Sequence, residues 1–370
     1  MLFDPKAHEP LRGGSWDARV ARRTVDDIVD DTLAAFDGDG WPRHPSDEHA
    51  GGGIYGGIAG TAYALHAIVG RTPVGADQVI EAADGESFIT GRLGASLVAW
   101  RLAPSQEVAA HVEEAANAMI ASGENELCWG AAGAAVAATL VFEDTRDERW
   151  AGVIGDAVRR LWSTWAFDRE LRACMWTQRR GDETRKFLGA AHGVAGNAHA
   201  LLRAAPMQSR DHQRELLDRT VETLRRTALE ERGAANWPAR TDAQDPRPRV
   251  QWCHGAPGIV IALANAPAHR PLDSLLLAAG ELTWQAGPLV KGHGLCHGTA
   301  GNGYAFLKLH RRTRETKWLD RARRFAMHAI AQYEAREAGR YTLFTGDLGL
   351  ALYLRACVDA DDRFPLLDVL

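Results

Sequence analysis

Two short strings, QWCHG at 251–255 and GLCHG at 294–298, each set a cysteine beside a histidine, and 43 residues separate the two cysteines. Thiolate and imidazole are the donors that zinc prefers. Cys253 from the first string, with Cys296 and His297 from the second, supplies three ligands. Three protein ligands leave a fourth coordination position open, which is the arrangement of catalytic rather than structural zinc. A loop must carry the adjacent Cys296 and His297, because successive residues of a helix point about 100° apart. Two thiolates neutralise the dication and make it a poor Lewis acid for hydrolysis, but a third thiol bound there is held deprotonated. Attack by such a thiolate on an electron-poor alkene gives an enolate, which needs a proton and a positive neighbour. His192, in FLGAAHG at 187–193, is the candidate proton donor, and His254, beside Cys253, joins the catalytic candidates. Arg249, four residues before Cys253, and Lys291, five before Cys296, are the candidate cations. Read singly, these histidines would be core residues bonded to backbone and these cations solvated charges.

A 43-residue separation is no zinc motif by itself, so something else must bring the cysteines into register. That element is a repeat. Gly-x-x-Gly followed by about ten mostly apolar residues occurs seven times, from Gly57, Gly91, Gly130, Gly193, Gly255, Gly298 and Gly346. The intervals are 34, 39, 63, 62, 43 and 48 residues, too irregular for an open solenoid and suited to a closed ring. Between the repeats lie segments with charges on one face and apolar residues at three- and four-residue spacing: 18–36, 105–121, 147–165, 213–229 and 317–333. The alternation predicts an all-α fold, an α/α toroid of seven inner and seven outer helices forming one domain over 1–370. The glycines are expected to let backbones crowd at one mouth and to supply the positive φ of tight turns. Residues just before each Gly-x-x-Gly then gather on loops at that mouth, where function resides.

The bulk properties narrow the alternatives. A net charge of −5 gives no electrostatic reason to expect nucleic acid or a membrane surface as partner. The N-terminal residues lack the pattern of a signal peptide, and no apolar run is long enough to span a bilayer. Five cysteines, an odd number, fit thiols or metal ligands in a reducing cytoplasm better than a disulfide framework. Cys128 shares the register but lies two repeats from Cys253, and it reads as a small buried hydrophobe, as do Cys174 and Cys357. The twelve tryptophans read as packing between helix layers. A carbohydrate hydrolase or lyase would need paired acids at the mouth, and only Glu126 and Asp347 lie near that register.

The seven Gly-x-x-Gly helices, the WCHG and LCHG pair and the AAHGVAG segment resemble the lanthionine synthetase cyclase (LanC-like) family, over about residues 50–356. The resemblance implies an α/α toroid with one zinc held by Cys253, Cys296 and His297. It implies thioether formation by addition of a peptide cysteine thiol to dehydroalanine or dehydrobutyrine. The family's catalytic histidine matches His192, its arginine matches Arg249, and its acidic residue ahead of the third repeat falls at Glu126, a glutamate where the family has aspartate. WCHG, KGHGLCHGTAGNGYAFLKL (291–309) and FLGAAHGVAG (187–196) are similar to the eukaryotic-type branch, which binds glutathione and adds it to dehydroamino acids. Lys291, and Arg340 ahead of the seventh repeat, match glutathione-contacting positions there. The implied partners are a peptide or protein bearing dehydroamino acids, and glutathione. The alternative is a non-catalytic zinc- and glutathione-binding sensor or scaffold.

Overall fold

The computed structural model describes residues 1–47, 51–180, 183–242 and 248–370. Fourteen α-helices run through the described residues. The first seven are α1 (Ala18–Ala34), α2 (Ile58–Val69), α3 (Ala76–Glu81), α4 (Arg92–Leu102), α5 (Gln106–Ala121), α6 (Ala131–Thr145) and α7 (Glu148–Thr164). The others are α8 (Val194–Arg203), α9 (Arg210–Thr227), α10 (Ala256–Leu263), α11 (Arg270–Ala286), α12 (Thr299–Thr313), α13 (Thr316–Glu334) and α14 (Asp347–Asp359). Every even-numbered helix begins at one of the seven Gly-x-x-Gly steps. The odd-numbered helices fall between them, so the alternation expected from the repeats is present, with α3 and α11 added to the five charged segments.

The two kinds of helix differ in burial as their compositions require. In α6 every residue from Ala131 to Val141 is buried, and in α12 every residue from Thr299 to Leu309. By contrast α7 buries one stripe, Trp150, Val153, Ile154, Ala157, Val158 and Leu161, at helical spacing. One-faced helices start conventionally: Asp17, Asp147 and Ser209 cap α1, α7 and α9 with side-chain oxygens on the first N–H groups, each cap contributing about 1 kcal/mol.

The buried helices begin differently. Their N-caps are glycines with no side-chain cap, and the preceding loop folds back to satisfy the exposed donors. Ala131 N–H donates to Glu124 O (3.1 Å), Val194 N–H to Phe187 O (3.1 Å) and Asp347 N–H to Arg340 O (2.8 Å). That fold-back leaves no room for a side chain: a Cβ on Gly193 would lie 2.3 Å from the Phe187 carbonyl carbon, and one on Gly346 1.9 Å from Arg340 O. The expectation of positive φ is corrected here. Of the seven first glycines only Gly255 has it, at φ 106°. The other six are extended, between −142° and −110°. Close approach of backbone, not handedness, demands the glycine.

Three short antiparallel hairpins were not expected from the sequence. They are β1–β2 (Ala166–Asp168 with Ala173–Met175), β3–β4 (Gln178–Arg180 with Glu183–Arg185) and β5–β6 (Leu229–Glu231 with Ala234–Asn236). The first two lie between α7 and α8 and the third between α9 and α10, which accounts for the two longest repeat intervals.

The chain forms two compact units, one of residues 1–6 and 113–286, the other of 7–112 and 287–370. In the first, α8 packs against α6 and α10, while α7, α9 and α11 lie against α6, α8 and α10 respectively. In the second, α14 packs against α12 and α2, and α2 against α4, with α13 and α1 on α12 and α14. No described helix is long and apolar enough to cross a membrane.

Candidate active site

The first unit brings together the loops that precede α6, α8 and α10. Ala191 N–H donates to Cys253 O (3.5 Å), and the Cys128 thiol to Ala191 O (3.5 Å). Cys253 stands at the tip of a tight turn closed by two backbone hydrogen bonds between Gln251 and His254, 3.1 and 3.2 Å. The turn is anchored by Asn236 on β6, which is fully buried. Its amide donates to Leu2 O and Arg249 O, and its carbonyl accepts from Ala256 N–H at the start of α10. The Cys253 sulfur is buried and accepts from Gln251 Nε2 at 2.9 Å.

His192 and Glu126 form the centre of this loop cluster. Glu126 is 3% exposed. One oxygen accepts from Trp129 N–H (2.6 Å), the other from Cys128 N–H (3.2 Å) and from His192 Nδ1 (2.7 Å). A carboxylate already taking two backbone donors fixes the proton on Nδ1 and leaves Nε2 as the nitrogen that can exchange one. The imidazole is clamped flat against Trp129, with ring centroids 5.2 Å apart and planes 9° off parallel. Phe187 and His254 lie at 5.9 and 5.7 Å on its other sides. Burial pushes the His254 pKa down to about 3, and the charges of His192 and Arg249 add to the shift. Arg249 itself is exposed.

A cavity of about 130 Å³ opens onto His192 and Glu126, walled by Trp129 and Phe187 and bordered by Gln178 and Arg179 of β3. Ligand atoms of Glu126, Cys128 and His192 lie within 4.8 Å of one another and form a group that could hold a metal ion. Of the sequence-derived candidates, Glu126, His192, Cys253, His254 and Arg249 all belong to this unit. Trp129, Phe187, Gln178 and Asn236 were missed. Trp129 carries a signal, since it follows Cys128 directly ahead of a repeat glycine, but a tryptophan there reads equally as packing between helix layers.

Cys296, His297, Lys291 and Arg340 belong to the second unit. Cys296 is buried and His297 half-buried, and the N–H groups of Leu295 and Cys296 share the Phe344 carbonyl, each at 2.8 Å. Lys291 is exposed. The Arg340 guanidinium is engaged by the Asp47 carboxylate, with Nε 2.8 Å from Oδ1. Asp347 is buried and spent on His293 Nε2 (2.7 Å), Arg336 Nε (3.2 Å) and Arg340 N–H (3.1 Å). Both acids that a hydrolase reading would need are therefore already hydrogen-bonded, Glu126 to two backbone N–H groups and His192, Asp347 to His293, Arg336 and the Arg340 N–H. Cys357 is fully buried on α14, where burial pushes its thiol up to about 12, as expected of a core residue. None of the five cysteines is in a disulfide.

The helical fold is that of nisin cyclase, which matches with a TM-score of 0.66 at 15% identity over 92% of this chain and 94% of that one. This likeness shows the fold, and with it the all-α, α/α toroid class read from the repeats. An unsaturated glucuronyl hydrolase shares the fold more distantly, at TM-score 0.53 and 10% identity over 99% of this chain and 98% of that one.

The family model for lanthionine synthetase C-like protein matches residues 77–369, and the chain belongs to that family. Glutathione S-transferase LANCL1 of Danio rerio is 33% identical over 191 residues, 50% of this chain and 46% of that protein. LanC-like protein GCL1 of Arabidopsis thaliana is 34% identical over 195 residues, 49% of this chain and 43% of that protein. The chain thus matches a little under half the length of these curated relatives.

Proposed function

We propose that this LanC-like protein is a zinc-dependent enzyme that joins a thiol to dehydroalanine or dehydrobutyrine through a carbon–sulfur bond. The observation that carries the reading is the Glu126–His192 pair, 2.7 Å apart and facing a cavity, in a chain of this family. We assign zinc to Cys253, Cys296 and His297, whose two thiols and one imidazole suit that ion. Gln251 Nε2 donates to the Cys253 sulfur and orients it within its turn. Bound in this way, zinc would supply the substrate thiol as a thiolate at neutral pH.

The rest of the reaction falls to the chain's own groups. Sulfur bonds to the β-carbon, the alkene electron pair moves towards the carbonyl, and the α-carbon takes a proton. His192 Nε2 delivers that proton. Glu126 holds the ring in its orientation through Nδ1. Trp129 and Phe187 exclude water from one side, and Arg249 as a cation and His254 as a neutral imidazole border the same loops. Lys291 and Arg340 are assigned to the thiol substrate, and the reducing cytoplasm would keep the thiol ligands intact.

The name of the LANCL1 relative favours glutathione as the thiol, whereas the fold of nisin cyclase suits a peptide cysteine. Zinc-loaded protein offered glutathione with a dehydroalanine peptide, and separately a dehydrated peptide carrying cysteines, tells these apart. A glutathione adduct supports the first thiol. Loss of alkylatable cysteine without mass change supports the second. Retained glutathione binding with no product in either assay would sink the enzymatic reading and leave a sensor or scaffold.

A further inference from the structure

The β3–β4 hairpin is the one feature of the cavity that the repeats do not explain. Three consecutive residues hold it to the loops that carry the Glu126–His192 pair. Thr177 O accepts from Asn125 Nδ2 (3.4 Å), the buried Gln178 amide donates to His192 O, and Arg179 N–H donates to Glu124 Oε2 (3.4 Å). The start of β3 is therefore bolted to both loops at once, which fixes where the Arg179 side chain emerges at the cavity rim.

Cations of the adjoining segments are paired with carboxylates, while the Glu124 carboxylate, which also lines the cavity, accepts the Arg179 N–H. Arg185 bonds Glu183 (2.6 Å), Lys186 bonds Asp168 (2.5 Å) and Arg240 bonds Asp242 (2.9 Å). Arg179 is exposed, borders the cavity, and has no carboxylate partner for its guanidinium among the described residues. Glu126 does not serve it, because its oxygens are taken up by two backbone N–H groups and His192. A guanidinium presents a planar fork that matches a carboxylate with two parallel hydrogen bonds.

We propose that Arg179 is a specificity-determining residue that binds a carboxylate of the substrate held against His192. Its position at the rim of the cavity, on a hairpin anchored to His192 and Glu124, carries the assignment. The inference rests on the proposed thiol addition for the identity of the substrate, but not for the recognition itself. The carboxylate belongs either to an acidic thiol such as glutathione or to an acidic residue beside the dehydroamino acid.

The test uses the zinc-loaded full chain, with Arg179→Gln and Arg179→Lys. Equilibrium binding and KM are measured for glutathione against its diethyl ester. A second arm uses dehydroalanine peptides with aspartate or asparagine beside the acceptor and amidated ends. Arg179→Gln is expected to weaken the acidic member of at least one pair about tenfold, leave its neutral partner unchanged and leave kcat nearly unchanged, as loss of one charged contact requires. Arg179→Lys should recover part of the loss. Discrimination in the glutathione arm assigns the carboxylate to the thiol, and in the peptide arm to the acceptor. Equal effects on acidic and neutral members, or no preference by the wild type in either arm, overturn the proposal. Binding discrimination without any product would sink the enzymatic reading while leaving this one standing.

Discussion

His192 Nδ1 lies 2.7 Å from Glu126 Oε2, although 66 residues separate the two in the chain. The same carboxylate caps the N–H groups of Cys128 and Trp129, so it orders its own loop and orients the imidazole of the next repeat with one group. Orientation of the ring and local folding are thereby coupled, and substitutions at the two positions should separate the proposed catalytic role from the structural one.

His192→Ala should keep its zinc and its fold but lower kcat for thioether formation by about 10²–10⁴-fold, the usual worth of a positioned proton donor. Glu126→Ala should lose activity and also stability, since it strands two N–H groups in a buried loop at about 1–3 kcal/mol each. Thermal unfolding beside product analysis by mass spectrometry checks both. Equal loss of stability in the two variants would contradict the division of roles.

The proposed zinc has two candidate donor sets, Cys253 with Cys296 and His297, and Glu126 with Cys128 and His192. The Cys253→Ala, Cys296→Ala double variant is expected to lose the one equivalent of zinc, and Cys128→Ala to retain it. Metal content of the purified proteins decides the matter. The opposite result would move the ion to the Glu126, Cys128 and His192 group.

The repeat glycines give a steric prediction. Gly193→Ala places a methyl group 2.3 Å from the Phe187 carbonyl carbon, which is rigid backbone, and should destabilise the protein by several kcal/mol or shift the His192 loop. Gly75→Ala, at an N-cap with nothing within 4 Å of its Cβ position, should change stability by less than about 1 kcal/mol. Denaturant unfolding of the pair makes the comparison.

The partly buried Asp168–Lys186 pair gives a pH dependence. The hydrogen bond from Lys186 holds the Asp168 carboxyl below its ordinary range, and that from Asp168 holds the Lys186 ammonium above its own. Asp168 therefore contributes stability above the unfolded carboxyl value of about 3.9, lost as pH falls through its lower folded value. Lys186 contributes below about 10.4, lost as pH rises through its higher folded value. Asp168→Asn should cost about 1 kcal/mol at neutral pH, with the difference from wild type closing at both extremes. A difference in Tm that stays constant from acid to alkaline pH would falsify this account.

Much of the architecture was legible in the chain. A mostly apolar run of about ten residues after each Gly-x-x-Gly reads as a helix buried nearly all round, and a run with charges on one face as a helix partly in water, so the seven even-numbered helices and α1, α5, α7, α9 and α13 followed from composition and period. Short α3 and moderately patterned α11 escaped notice, as did the hairpins, because a three-residue ladder leaves no period to detect. Tertiary structure alone decided why the glycines are glycines. A Cβ on Gly193 would clash with a carbonyl six residues back, a contact created by the folded loop and invisible to local rules. It also alone decided that Glu126 meets Nδ1 of His192, that Trp129 stacks on the ring and that Arg179 stands at the rim. Local periodicity records which face of a helix avoids water. It does not record which loops meet, because those contacts join residues whose separation in sequence bears no relation to their separation in space.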